Sequence, residues 1–208
     1  MSDGLTIAAF LLVAGPVVGA VGVARPALFP AWTAPRDEHL ALVRAHRRDW
    51  ALANAGFAIA TLTTATGLVV LAGAVHAEDG LRAVLLAATV MYAIGGTLWC
   101  SVVAIRDRTT PALAEMVAAG APTEPAEALL GAAFSGLFQA FILTTCAALT
   151  AVGLELALGG GVAAPAAWFA TLFAALAGAR HLVSGDVIPA VVYFPTLLIG
   201  MALLLGWS

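Results

Sequence analysis

The chain is 208 residues long, and 62% of its residues are hydrophobic while only 10% are charged, against about 25% charged residues in a typical soluble protein. A soluble domain of this length cannot bury so many apolar side chains, whereas a bilayer accepts helices that are apolar on every side. The chain has nine arginines and no lysine, which excludes lysine-dependent chemistry. Its formal net charge is −3, and the sequence lacks the basic stripe of a nucleic-acid-binding protein.

Six apolar runs are each long enough to cross the hydrocarbon core of a bilayer, which needs ~20 helical residues. None of them alternates between apolar and polar residues as the strands of a membrane barrel do. The sequence therefore predicts an all-α, polytopic integral membrane helical bundle with six transmembrane helices in a single domain. The predicted spans are approximately 5–24, 51–75, 83–105, 131–153, 162–183 and 187–207.

The first span carries glycines at a spacing that suits close helix packing. Gly15, Gly19 and Gly22 follow one another at intervals of four and three residues, so they share one face of a helix. Pro16 interrupts the same span and predicts a kink there. No basic residue precedes the span, so we expect a retained helix rather than a secretory signal.

The arginines predict the orientation of the bundle. Positively charged residues concentrate in cytoplasmic connections, and eight of the nine arginines lie in the first, third and fifth connections. We therefore expect both termini to face away from the cytoplasm. The absence of lysine and the 21 glycines indicate a GC-rich bacterial genome, so the expected location is the bacterial cytoplasmic (plasma) membrane. The eight residues are Arg25, Arg36, Arg44, Arg47, Arg48, Arg106, Arg108 and Arg180.

Two of the cytoplasmic connections are long enough to contain helix, namely 33–50 and 109–130. In the first, acidic residues precede basic ones, as suits a helix dipole, so we expect the second transmembrane helix to begin well before the membrane. In the second, Thr110 is a candidate N-cap, Pro111 a candidate first helical residue and Gly120 a candidate stop. This pattern predicts a separate short helix at the surface.

Arg180, His181 and Asp186 lie close together between the last two apolar runs. One interpretation is structural, because Arg180 and His181 favour the C-terminus of a helix and Asp186 can cap the next one. The other is that the three side chains line a polar vestibule, where His181 can titrate near neutral pH. In that case His181 and Asp186 are the candidate catalytic acid and base. Pro189 and Pro195 follow and predict kinks in the sixth span.

A second polar group begins the second span. His46, Trp50 and Asn54 are spaced four residues apart and share one helix face, with Arg47 beside them. An amide inside the membrane needs a hydrogen-bond partner, which we expect on another helix for Asn54. The alternative interpretation is that Asn54 only joins helices. If both polar groups lie at the same cytoplasmic level, two parts of the chain build one site.

The function expected from this arrangement is transport or binding of a small molecule through a polar vestibule on the cytoplasmic side. Two alternatives stay open, namely an accessory or interaction subunit of a membrane complex and a membrane-embedded enzyme acting on a lipid-like substrate. The candidate substrate-binding residues are Arg47, Trp50, Asn54, Gln139, Arg180, His181 and Asp186.

No cofactor and no metal is expected. A transmembrane haem needs axial ligands at matching depth, and the four histidines all lie at or beyond the ends of the spans. A zinc site needs clustered ligands, whereas His39 and His46 are two helical turns apart. The expected partners are the lipid bilayer, a small-molecule ligand and a membrane protein partner or homo-oligomer, with no nucleic acid.

Overall fold

A computed structural model describes residues 3–75, 79–160, 163–185 and 187–206. This part of the chain is helical and contains no strand, so the predicted all-α fold is confirmed for it. The helices are α1 (Asp3–Val23), α2 (Arg36–Ala45), α3 (Arg47–Ala74), α4 (Asp79–Ala118), α5 (Glu124–Leu158), α6 (Ala164–Ser184) and α7 (Tyr193–Leu204). Short 3-10 turns occupy Phe29–Trp32 and Pro189–Val192.

Five of these helices, namely α1, α3, α4, α5 and α6, are long and apolar enough to cross a membrane. The sixth apolar run forms the 3-10 turn and α7, which together span Pro189–Leu204. This element is about 26 Å long at the usual rises per residue of the two helix types, slightly short of the ~30 Å core. Pro189 opens the turn and Pro195 lies in the first turn of α7, so both occupy positions where a missing N–H costs little.

The predicted short surface helix in the 109–130 connection is wrong, because α4 continues through it for a total of 40 residues. Thr109 donates its hydroxyl to the carbonyl oxygen of Ile105 within the helix. Pro111 is buried inside α4 and removes one backbone hydrogen bond without ending the helix. Gly120 adopts φ +70°, which side chains disfavour, and the helix stops just before it, as the sequence indicated. The end of α4, after residue 105, and the start of α5, before residue 131, thus form a helical hairpin beyond the predicted spans. We call it the α4–α5 hairpin.

The first long connection also differs from expectation. A break at His46, with φ −120° and ψ 43°, separates α2 from α3, so the second membrane helix begins at Arg47 rather than earlier. Helix α2 instead packs against α4 of the α4–α5 hairpin, and side chains at both of its ends bind acidic residues of the hairpin.

The ties of α2 are ionic. Arg36 at its start binds the Glu127 carboxylate and, at 2.7 Å, the Thr123 hydroxyl, both near the start of α5. The guanidinium holds the pKa of Glu127 at about 2, well below its usual value. Arg44 at the other end of α2 pairs with Glu115 of α4 at 3.0 Å. Solvent-exposed pairs add little stability, but these two fix where α2 lies.

Helices α1 and α3 pack through the predicted glycine face. Gly15, Gly19 and Gly22 are all buried, and a Cβ atom built on Gly22 would lie only 3.3 Å from the Cα atom of Gly56 in α3. The two backbones approach so closely because no side chain stands between them. Pro16 is also buried and lies inside α1 without interrupting it.

The last helix closes the bundle against the first. A Cβ atom on Gly200 of α7 would lie 2.9 Å from the carbonyl oxygen of Ala9 in α1. Tyr193, at the start of α7, reaches α3, where its hydroxyl lies 2.6 Å from the Thr61 hydroxyl. Helix α1 is therefore enclosed between α3 and α7, and α6 packs against α5 on the other side of the bundle.

Candidate functional site

A continuous series of aromatic rings crosses the bundle from α2 to α6. The sequence placed aromatic residues on every long helix, but only the packing of the helices brings these rings into contact. The ring centroids are 5.6 Å apart for His39 and Trp50, 5.9 Å for Trp50 and Trp32, 6.4 Å for Trp32 and Phe57, 5.6 Å for Phe57 and Trp99, 5.9 Å for Trp99 and Phe138, and 5.7 Å for Phe138 and His181.

A cavity of about 320 Å³ lies beside the middle of this series, between α4, α5 and the 3-10 turn before α7. We call this cavity the vestibule. Its wall is mainly aromatic and aliphatic, with the Arg106 guanidinium and the Ser135 hydroxyl among its polar groups. The lining residues are Trp99, Val102, Arg106, Phe134, Ser135, Phe138 and Pro189.

Arg106 is the charged residue of the vestibule. Its guanidinium carbon lies 5.1 Å from the centre of the Trp50 ring, within the range of a cation–π interaction. The Trp50 indole N–H donates to the Arg106 carbonyl oxygen at 3.3 Å, which fixes the two residues together. Arg106 forms no ion pair within the described part of the chain, since the adjacent Asp107 faces Arg108. A cation held in this way suits an anionic ligand.

His181 lies at the other end of the aromatic series. Its side chain is 5% exposed and meets the Phe138 ring edge-on. The Nδ1 atom is buried and has no hydrogen-bond partner among the residues that the structure describes. His181 thus borders the vestibule through Phe138 without lining it.

The end of α6 is capped by glycine. Gly185 has φ +70°, and its N–H donates to the carbonyl oxygen of His181, as expected of a left-handed C-cap. Asp186 lies outside the described residues, so the predicted pairing of His181 with Asp186 and the predicted capping role of Asp186 stay predictions. Arg180 is exposed on α6 and lines surface grooves rather than the vestibule.

Asn54 is buried, but its partner is not on another helix as expected. Its amide nitrogen donates to the carbonyl oxygen of Trp50, one turn earlier in α3, at 2.9 Å. Short polar side chains in helices readily satisfy themselves in this way. Gln139 is exposed on α5 and Arg47 is exposed at the start of α3, so neither lines the vestibule.

Among the described residues, the two polar groups singled out in the sequence are connected through their aromatic neighbours. Trp50 touches Arg106, His181 touches Phe138, and both Arg106 and Phe138 line the vestibule. Sequence reasoning missed the lining residues themselves. One signal was present, because Phe134, Phe138 and Phe141 recur at intervals of four and three residues and so share one face of α5.

Within the described ranges, no group of three or more His, Cys, Asp or Glu side chains is placed to hold a metal ion. His39, considered above as a zinc ligand, instead has its Nδ1 atom 2.8 Å from the carbonyl oxygen of Ala31. Comparison of the chain with protein-family models, with curated proteins and with solved structures gives no match.

Proposed function

We propose that the protein binds a small organic anion with a flat apolar part in the vestibule, as the binding step of a membrane transporter. One observation carries the proposal. The Arg106 guanidinium lines an aromatic cavity and has no acidic partner among the described residues. A carboxylate, sulfonate or phosphate ester on the ligand supplies that partner.

Different lining residues recognise different parts of the ligand. Arg106 offers a planar fork of donors that matches an oxyanion, and the Ser135 hydroxyl can add one hydrogen bond. The rings of Trp99, Phe134 and Phe138 provide apolar surface on which a flat group can stack. The volume of about 320 Å³ lies at the lower end of the ~300–1,000 Å³ range of ligand sites, so the ligand is small.

Transport requires a second conformation, in which the bundle opens on the opposite side of the membrane. The packing beyond the vestibule indicates where the helices separate. Trp99 and Phe141 stack with ring centroids 5.0 Å apart, and a Cβ atom on Gly95 would lie 3.3 Å from the Phe141 carbonyl oxygen. Helices α4 and α5 are therefore in close contact on that side. Separation of α4 from α5 at Gly95 is the movement we propose for release on the opposite side.

We further propose that Pro189–Leu204 is a sixth span, that the vestibule opens to the cytoplasm of a bacterial cell and that both termini lie outside it. The support is the distribution of arginines and the contact of the first connection with the third, through Arg36 with Glu127 and Arg44 with Glu115.

Cysteine labelling checks this topology in a chain without its two native cysteines. We expect Gly159→Cys and Leu205→Cys to react with a membrane-impermeant maleimide in intact cells, because both positions lie at the proposed outer ends of helices. Ala119→Cys, at the end of the α4–α5 hairpin, should react only after permeabilisation. Labelling of Leu205→Cys on the same side as Ala119→Cys would contradict the sixth span.

Ligand binding is tested with Arg106→Gln, for which we expect a loss in affinity of roughly 10- to 100-fold, since a hydrogen bond to a charged group contributes ~1.5–3 kcal/mol. The probe is 2-naphthoate, measured by saturation-transfer NMR on the full chain in zwitterionic lipid nanodiscs. Its neutral analogue, 2-naphthalenemethanol, should bind the wild type at least about tenfold more weakly.

Arg108→Gln is the matched control, because Arg108 lies two residues away with its side chain 85% exposed and does not line the vestibule. This variant should bind 2-naphthoate as the wild type does. Equal affinities of the wild type for the acid and the alcohol would contradict the proposed site. Equal losses of affinity in Arg106→Gln and Arg108→Gln would contradict it as well.

A further inference from the structure

Three buried polar atoms on α3 and α4 have no hydrogen-bond partner among the described residues. They are the Thr64 hydroxyl oxygen, the Tyr92 hydroxyl oxygen and the Trp99 indole nitrogen. Their side chains are 0%, 0% and 1% exposed. Buried polar groups are nearly always paired, and an unpaired one is most costly where no water can reach it. An apolar side chain of similar shape would avoid that cost, so packing alone does not explain these three groups.

The two members of this set on α4 continue the vestibule into the bundle. Arg106, Trp99 and Tyr92 are spaced seven residues apart, so they share one face of α4 and follow one another at intervals of about 10 Å. Arg106 and Trp99 line the vestibule, whereas Tyr92 lies near the middle of the predicted span 83–105. A row of polar groups thus leads from the vestibule towards the middle of α4.

Hydroxyl groups from α3 and α7 stand opposite this row. The Tyr193 hydroxyl of α7, which bonds to that of Thr61, also lies beside the Trp99 indole without a hydrogen bond to it. The Thr64 hydroxyl lies beside that of Tyr92, again without a hydrogen bond. Donors from three helices therefore surround one interior region. We call Thr64, Tyr92, Trp99 and Tyr193 the inner donor group.

We infer that the inner donor group is a second binding position for the organic anion, which the ligand occupies after it leaves Arg106. The inference rests on the proposed function of the vestibule. Hydroxyl and indole groups donate hydrogen bonds to a carboxylate or sulfonate without carrying a charge. They hold the anion less firmly than a guanidinium does, and a ligand in transit has to be released as well as bound. The ligand oxyanion supplies the partner that Thr64, Tyr92 and Trp99 lack.

The inner donor group is closed in this conformation. A Cβ atom on Gly96 of α4 would lie 2.7 Å from the methyl carbon of Thr61, so α3 and α4 are in close contact at this level. Gly96 follows Gly95, where we propose that α4 separates from α5. The same movement of α4 changes its contact with α3, and the ligand passes from Arg106 to the inner donor group during that movement.

Exchange of 2-naphthalenesulfonate across proteoliposomes that contain the full chain tests the inference. This probe stays charged at any working pH and does not leak through lipid as a neutral carboxylic acid does. We expect Tyr92→Phe and Thr64→Val each to slow exchange roughly tenfold, because each removes one hydrogen-bond donor to the anion. Binding of the same probe in lipid nanodiscs, which depends on Arg106, should keep its wild-type affinity in both variants.

Thr89→Val is the matched control. Thr89 is another buried threonine, but its hydroxyl donates to the carbonyl oxygen of Leu85 within α4. This variant should exchange the probe at the wild-type rate. Equal losses in Thr64→Val and Thr89→Val would overturn the inference. Wild-type exchange rates in both Tyr92→Phe and Thr64→Val would overturn it too.

Two further outcomes separate the inner donor group from the vestibule and from a structural role. If the wild type binds the probe but does not exchange it, the second position is wrong while the vestibule stands. If the wild type does not bind it, both fall. Neither Tyr92→Phe nor Thr64→Val should lower the unfolding temperature in detergent, since each removes a buried group that has no partner. A lower unfolding temperature in both variants would assign the hydroxyls a structural role and exclude the second position.

Discussion

Replacing Gly15 with isoleucine is expected to destabilise the bundle by about 3 kcal/mol, at the upper end of overpacking costs. A Cβ atom at Gly15 would lie 2.9 Å from the Ala60 carbonyl oxygen and 3.1 Å from the Thr64 nitrogen. Both are backbone atoms of α3, which cannot rotate away as a side chain can. Helices α1 and α3 must therefore separate, and they lose contacts along the rest of the glycine face. Thermal unfolding in detergent, followed by circular dichroism, measures the effect.

Gly136→Ile is the matched control for this prediction. Gly136 also lies within a long helix, but a Cβ atom there would have nothing within 4 Å. The same change of residue should leave the unfolding temperature nearly constant. Similar losses in the two variants would mean that helix propensity or the detergent, rather than the α1–α3 contact, determines the result.

Replacing Trp50 with alanine is expected to cost about 3–5 kcal/mol, the usual range for truncating a buried tryptophan. Trp50 is 0% exposed and stacks on Trp32 with centroids 5.9 Å apart. The substitution also removes the ring beneath the Arg106 guanidinium and the donor to its carbonyl oxygen. The vestibule should therefore lose its fixed cation together with the stability of the fold.

Trp168→Ala controls for the loss of an indole as such, because Trp168 on α6 is 43% exposed. Surface truncations of this kind usually change stability by less than ~0.5 kcal/mol. Both variants are compared by unfolding temperature, and their binding of 2-naphthoate is compared below that temperature. A Trp50→Ala protein as stable as Trp168→Ala would contradict the role of Trp50 as a core residue.

The composition and the lack of alternation in the apolar runs were enough to predict the class of fold, because a bilayer accepts only helices and closed barrels, and the strands of a barrel alternate. The ends of the helices were harder to predict. Pro111 was interpreted as a helix start, yet α4 continues through it and packs against α2 and α5. The break at His46 had no signal in the sequence, because no proline or glycine lies next to it.

The described candidate binding residues that were chosen from the sequence lie around the vestibule and do not line it. Polar residues drew attention because an unpaired polar group in hydrocarbon is expensive. Asn54, however, bonds within its own helix, and Gln139 faces outwards. In a chain that is 62% hydrophobic, an aromatic residue says little by itself. The vestibule depends on the register of α4 against α5, which brings Trp99 beside Phe138, and a single sequence does not fix that register.

The contact between α1 and α7 also bears on how the chain assembles during translation. Gly200 lies against the backbone of α1 at Ala9, so α1 is enclosed on its second side only by α7, which is synthesised after the other described helices. Until Tyr193–Leu204 has been synthesised, one side of α1 faces lipid or the insertion machinery. A nascent chain that ends before this segment contains both sides of the glycine contact between α1 and α3, but it leaves the face of α1 at Ala9 uncovered.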